Sequence, residues 1–377
     1  MTGDLDVIKT GLIDRMKDVC QALLPGGREE SGQWVSHNPV TNDFSHANPA
    51  LKVRLRGGVV GAWKDWRCGD KGDALGLVAY ILRTDTSGAL VWGRDFLGLK
   101  AMSRADREAM KKAAAVNREK REKDDTAARA RKLAGAQKLF LQDSFSFQAD
   151  RRFAHEAQRH AERYFTARQV PLASIPTLNP DSFQFAPATE WWKGATWKVA
   201  GGRRWKEKAG PSFPAVHSAM RGALGNITAC HVTFLDPVKP GKAPVEPAKL
   251  MFGEALGAVI EISMGPNNRP FWQDDCSQGG PQPVVLAEGI ETALAFAVSG
   301  TPARVWACGS LAGIGGAPIA LPCISWVLFA RDNNAGNAQA QKQFAAALEK
   351  LEASGKTIVV EASHVGDDFN DLAQGEE

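Results

Sequence analysis

The last hundred residues constrain the fold most. Four apolar runs, VVLAE, RVWAC, SWVLFA and TIVVE, are separated by the helical stretch ETALAFAVSG, a short helical piece near Leu311 and the long helix AGNAQAQKQFAAALEKLEAS. None of the runs alternates apolar with polar residues, so both faces of each strand must be covered. Strands of this kind alternating with helices predict a parallel sheet with helices on both faces over residues 281–377. DFNDLAQ would open a last helix.

In an open parallel sheet, ligands gather beyond the carboxyl ends of the strands. That edge is expected to be acidic here. Glu288 ends the first strand and is followed by Gly289; Asp332 follows the third in RDNNAG; Asp367, Asp368 and Asp371 follow the fourth in GDDFND; Glu291 sits one turn into the first helix. A single acid at a strand end is most often a helix cap. Three acid-bearing loops converging on one rim repel one another and lose hydration unless cations bind among them. Oxygen-only ligands favour Mg²⁺ or Mn²⁺ over zinc, and two such ions are a standard device for displacement at phosphorus. The expected metal set is Glu288, Asp332, Asn334, Asp368, Asp371 and Glu291.

The 377 residues allow two or three domains, and a chain 44% hydrophobic and 23% charged reads as globular. The six cysteines form no CxxC pair, which argues against a disulfide framework and an evident zinc ribbon. No leader is evident in residues 1–10, and the apolar runs are too short to span a bilayer, so a cytoplasmic setting is expected. The net charge of +4 alone says little about partners.

Four parts are expected. Residues 1–100 combine a helix near Asp6–Leu24 with short Gly-rich, Trp-bearing strands. Residues 101–149 form a polar, Lys/Arg-dense helix, either a solvated tether or a basic arm for DNA. Residues 150–280 are mixed α+β. There Trp191, Trp192, Trp197 and Trp205 are interleaved with Lys193, Lys198, Arg203, Arg204, Lys206 and Lys208. Aromatics among cations suit single-stranded nucleic acid, and they equally suit a Trp core rimmed by solvated lysines. Residues 281–377 carry the parallel sheet.

VVLAEGIETALAFA, FARDNNAGNAQAQ and GDDFNDLA, in that order, resemble the Toprim domain of bacterial-type DNA primases of the phage and plasmid kind. Upstream, GNITACHVTFLDPVKPGKAPVEPAKLMFG and HAERYFTARQV resemble the segment preceding that domain. GAWKDWRCGDKGDALGLVAYI resembles the end of the N-terminal zinc ribbon, with Gly72-Asp73-Ala74-Leu75 in place. Most zinc ligands are missing: Trp34, His37, Asp65 and Cys68 stand where paired ligands would be. The resemblance therefore implies a metal-free variant held by Trp and apolar packing. The alternative is zinc on His37 and Cys68, helped by Asp65 or His46. Asn334 replaces the second acid of a D-x-D pair, which should weaken one metal site.

The resemblance implies short RNA primers made on single-stranded DNA from ribonucleoside triphosphates, with Glu288 and Asp332 holding the metals. It gives Lys249 a nucleotide or template contact, with Lys242, Lys206, Lys208 and Arg331 as further cations. It also gives the N-terminal part a template contact through Trp63, Trp66, Arg67 and Lys71, although core packing is the competing role of the two tryptophans. SGKT at residues 354–357 lacks the leading glycine and runs from helix to strand, so no ATP loop is present and a replicative helicase would be a separate partner. Two other classes use the same residues: a Toprim nuclease, and a catalytically weak DNA-binding or replication-regulating module.

Overall fold

The computed structural model describes residues 2–99, 104–150, 152–200, 203–331 and 338–362. The chain divides into two compact units, Met1–Arg129 and Ala130–Glu377.

The first unit opens with α1 (Thr2–Asp14) and α2 (Met16–Leu23). One helix was expected here; Arg15, at φ −111° and ψ 29°, breaks it in two. In α2 the buried side chains Met16, Val19, Cys20 and Leu23 recur on one helical face. Five strands follow: β1 (Arg28–Glu30), β2 (Gln33–Ser36), β3 (Leu51–Arg54), β4 (Trp63–Asp65) and β5 (Lys71–Gly72). They form an antiparallel sheet in sequence order. Leu51, Val53, Trp63 and Asp65 point inward, while Lys52 and Lys64 are only partly buried. Asp73 then caps α3 (Ala74–Ile81), accepting the Gly76 amide at 2.7 Å, and Asp85 caps α4 (Thr86–Phe96) in the same way. Trp63 is 5% exposed and packs with Trp34, Leu51, Ile8 and Leu77. The expected DNA contact through Trp63 is thus corrected: β4 turns its indole into the core. Trp66 just beyond β4 is 57% exposed, with Lys64 Nζ 3.9 Å from its ring centroid. Arg67 is spent on Asp43 and the Asn48 carbonyl.

Three of the four residues weighed for zinc have other partners. His37 faces Asp43, Cys68 Sγ lies 3.3 Å from Asp70, and Asp65 accepts from Asn38 and from the Arg67 and Cys68 amides. Among the described residues, no group of three or more His, Cys, Asp or Glu side chains could hold a metal ion.

α5 (Arg104–Leu141) is the expected polar helix, and the division between the units falls inside it. In the second unit come β6 (Phe145–Ser146), α6 (Glu156–Ala167), β7 (Phe183–Glu190), β8 (Thr196–Ala200), β9 (Arg203–Lys208), β10 (Ser212–Arg221), β11 (Ile227–Phe234) and β12 (Lys249–Gly253). Strands β12-β11-β10-β7-β6 make one antiparallel sheet, and β8-β9 a separate two-stranded hairpin. The C-terminal elements are β13 (Ile260–Ser263), β14 (Gln282–Ala287), α7 (Ile290–Val298), β15 (Arg304–Ala307), α8 (Leu311–Ile314), β16 (Ile324–Arg331), α9 (Ala338–Glu352) and β17 (Thr357–Ala362). Their sheet has the order β13-β15-β14-β16-β17.

Every pairing in that sheet is parallel except β13 with β15. The four expected strands are all present, and β13, an antiparallel edge contributed by the preceding part, is an addition. Both faces are covered, as the unalternating runs require. Val285, Ala287, Val305 and Ala307 pack into a layer with α7. Val284, Leu286, Trp306 and Phe329 pack into the opposite layer with Ile314 of α8 and Ala347 and Leu351 of α9. The α7 layer is continuous with Tyr164 and Phe165 of α6 and Phe183 and Phe185 of β7. The mixed α+β part and the parallel sheet therefore share one core. No helix of the described residues is long and apolar enough to cross a membrane.

A buried cation fastens the antiparallel edge. Arg304, fully buried at the start of β15, pairs with Glu261 of β13 at 3.1 Å and with Asp274, and donates to the Arg269 carbonyl at 2.8 Å. Glu261 also accepts from Asn179 and the Phe271 amide. Removing only the cation leaves two acids without it in a dry environment. Arg304→Met is expected to cost about 3–5 kcal/mol of unfolding free energy, the usual range for breaking a buried pair from one side. Urea denaturation of the two proteins measures it; a loss under 1 kcal/mol would show that the acids find other partners.

Candidate active site

The site is built around the first strand–helix junction of the parallel sheet. Glu288 follows β14 at its carboxyl end. Two residues past the Leu286–Phe329 register pair lie Glu288 on one strand and Arg331 on the other, so these neighbours share the same rim. Burial pushes the half-buried Glu288 carboxyl up, and the nearby Lys249 ammonium opposes that shift. Among the described residues no donor hydrogen-bonds this carboxylate. Arg331 lies over the Phe344 ring at 4.4 Å. Asp332, Asn334, Asp368 and Asp371 lie outside the described residues.

Glu291 is engaged differently from the expected metal ligand. It enters α7 in the first turn, and its side chain is 8% exposed. Oε1 accepts from the Tyr164 hydroxyl at 2.7 Å and pairs with Lys242 Nζ at 3.0 Å; Oε2 pairs with Lys249 Nζ at 2.7 Å. Both oxygens are therefore turned to protein donors. Burial alone would raise this acid, but Lys249 and Lys242 outweigh it and hold the carboxyl far below its usual range. Burial, then the Glu291 charge, keeps the Tyr164 phenol protonated as a donor.

The geometry converts one carboxylate into a mount for two cations. Lys249 begins β12, and Lys242 lies in the loop between β11 and β12. Glu291 fixes both ammonium groups, which remain partly open to solvent at side-chain exposures of 34% and 29%. With Lys249 near Glu288, such a pair can neutralise phosphate oxygens close to that carboxylate. Three neighbours of this network were not among the residues singled out from sequence: Tyr164, His231 and Arg168. Tyr164 sits on the apolar face of α6 and reads as core, and His231 reads as one more buried residue of β11. Their role depends on contacts more than a hundred residues away, for Tyr164, and on the loop that follows β11, for His231.

Of the other expected cations, Lys206 pairs with Glu190 at 2.5 Å, and Lys208 is exposed at the end of β9. Neither takes part in the Glu291 network. Trp66 and Arg67 belong to the first unit.

Two outcomes follow from these environments. Glu291→Leu leaves two half-buried lysines facing each other, and is expected to destabilise by about 1–3 kcal/mol, below the full buried-pair cost because both lysines reach water; chemical denaturation measures it. His231 is buried beside this network; burial, then the Lys249 charge, holds its imidazole down to about 4, and burial holds His217 to about 4 as well. A base depressed in the folded state is protonated first in the unfolded chain. Its contribution is complete above pH ~6.5 and is lost as pH falls toward 4. Glu261, which burial pushes up to about 7, works in the opposite sense over the same window, so His231→Leu should remove most of the remaining fall in thermal midpoint. An unchanged slope in the variant would place the acid sensitivity elsewhere.

Residues 283–376 match the model of the Toprim domain family, and residues 148–262 match a domain of unknown function, DUF7146. A search of curated proteins finds no match. Among solved structures, a DNA primase domain from Pseudomonas aeruginosa is 18% identical, with 65% of this chain and 74% of that one covered and a TM-score of 0.39. The zinc-binding and RNA polymerase domains of the Aquifex aeolicus primase are 14% identical, covering 100% of this chain and 83% of that one, with a TM-score of 0.33. The RNA polymerase domain of the Mycobacterium tuberculosis primase is 15% identical, with 65% and 79% covered and a TM-score of 0.37. The strand-end carboxylate, the two-faced parallel sheet and the matched family model together mean that this chain carries a Toprim domain at its C-terminal end.

Proposed function

We propose that this protein is a DNA primase that joins ribonucleotides on a single-stranded DNA template. One observation carries the reading: the strand-end carboxylate Glu288 lies near the Lys249 ammonium, which Glu291 holds together with that of Lys242. Nucleotidyl transfer needs positioning and charge neutralisation, and the protein supplies little covalent chemistry. Lys242 and Lys249 would pair with triphosphate oxygens. Because Glu291 already fixes both, they need not be ordered when the nucleotide arrives.

Glu288 fits a hard divalent cation, as an oxygen donor with no described protein donor on it. Mg²⁺ or Mn²⁺ is the proposed cofactor, held by Glu288 with Asp332 and supported by Asn334, Asp368 and Asp371. Bound there, such ions lower the pKa of an attacking hydroxyl and neutralise a pyrophosphate leaving group. Trp66, with Lys64 against its ring, is the proposed template contact of the first unit. Strand separation would fall to a separate helicase.

The test offers the purified protein single-stranded DNA, labelled ribonucleotides and Mg²⁺ or Mn²⁺. Short RNA products are expected, reduced at least ~100-fold in Glu288→Gln, in line with loss of an essential electrostatic group. Strand cleavage without ribonucleotides would mark a nuclease. Full synthesis by Glu288→Gln would remove Glu288 from the chemistry.

A further inference from the structure

A second feature of the Ala130–Glu377 unit lies outside the Glu291 network. A cavity of about 430 Å³ opens on the antiparallel sheet between the end of α5, strand β7 and the β8–β9 hairpin. Its aromatic walls are Trp192, Trp197 and Phe252. Trp192 is anchored edge-on against Phe234 at 5.8 Å and Phe252 at 6.5 Å. Gly135 leaves room for this wall, since a Cβ there would lie 2.8 Å from the Phe252 ring. At the base, Thr189 Oγ1 and His217 Nε2 are 2.8 Å apart.

The hairpin gives the cavity its open side. Trp197 and Trp205 are 43% and 46% exposed, and each faces a lysine across the ladder, Lys206 and Lys198. Lys206 Nζ lies 5.6 Å from the Trp197 ring centroid and pairs with Glu190. Lys198 pairs with Glu207. A two-stranded hairpin has no core of its own, so burial does not account for two large indoles on it. Large half-exposed indoles flanked by cations are the components of a stacking platform.

Charge decides the occupant. The Lys206–Glu190 pair leaves this wall of the cavity neutral, which suits an uncharged flat ring and disfavours a phosphate inside. Lys193, next to Trp192, and Lys208, paired in register with Thr196, are exposed and have no acidic partner among the described residues. These two can take phosphates running past the opening. Gln142 and Asp143 offer an amide and a carboxylate to a ring edge.

We propose that this cavity and the Trp197 face of the hairpin form a stacking site for an unpaired base of single-stranded nucleic acid, with Lys193 and Lys208 on the adjoining phosphates. The proposal rests on the single-strand part of the functional reading but not on catalysis. Its test is therefore binding. Full-length protein is titrated into fluorescein-labelled dT20, the same strand with abasic sites throughout, and a 20-base-pair duplex, each followed by anisotropy. Stacking of one base is worth about 1–3 kcal/mol, so Trp197→Ala should weaken dT20 binding roughly 5- to 150-fold. Trp197→Phe should retain most of the affinity. The abasic strand should bind wild type at least as weakly as Trp197→Ala binds dT20, and duplex binding should not change with the variant. A change below twofold on dT20, or an equal loss on dT20, abasic strand and duplex, overturns the stacking site. Should Trp197→Ala fail to fold, wild type decides alone: equal affinity for dT20 and the abasic strand refutes the proposal. A protein that binds as expected yet makes no primer would defeat the functional reading and leave the stacking site standing.

Discussion

The carboxylate of Glu291 joins three separate stretches of chain to the first helix of the Toprim sheet. Tyr164 comes from α6, Lys242 from a loop, and Lys249 from the edge strand of the antiparallel sheet. A buried acid is costly unless every lone pair is used, and here the compensation comes from groups that must arrive from elsewhere in the fold. The network therefore works as a register pin. If α7 rotated or β12 slid by one residue, an acid would be left buried without its cations. The same contacts that secure this packing leave two ammonium groups partly open to solvent, that of Lys249 near Glu288.

The parallel sheet was legible in the sequence because its physical requirement is local: a strand covered on both faces needs an unbroken apolar run. VVLAE and RVWAC satisfy it, and alternate residues of β14 and β15 enter opposite layers. The helix caps at Asp73 and Asp85 are as local, since each side chain serves an amide three residues on, although neither was singled out as a cap from sequence. IEIS, in β13, was harder. All four residues are buried, yet two are polar, and their partners, Arg304, Asn179 and Thr177, are distant in sequence. A buried Glu261 looks like a surface residue until the arginine opposite it is known.

Glu291 shows the same limit at the site. From its position one turn into a helix, beside a strand-end acid, metal binding and ion pairing are equally good uses of a carboxylate. The choice depends on whether lysines or open rim face it, which is a tertiary fact. Trp63 and Trp66 differ by three residues and by one alternation of the strand: the first is drawn into the core by β4, and the second lies past the strand end, where the inward pattern no longer holds it.

In the first unit, hydrogen bonds to one buried carboxylate tie a turn to a loop. Here Asp65, fully buried, accepts the Arg67 and Cys68 amides of its own turn through Oδ1 and binds Asn38 of the facing loop through Oδ2. Tyr80 continues the link from Asn38 to Asp70, and Asp43 adds Arg67 and the Asn38 amide. Burial penalises the Asp65 charge, but the Asn38 donor and the two amides outweigh it and hold the carboxyl below its usual range. An anion with donors on both oxygens joins the turn to the loop without a cation, at the cost of needing every donor in place. Metal coordination would demand several side chains of one kind converging on a point. The carboxylate demands two backbone amides, which any sequence provides, and one side-chain donor, Asn38.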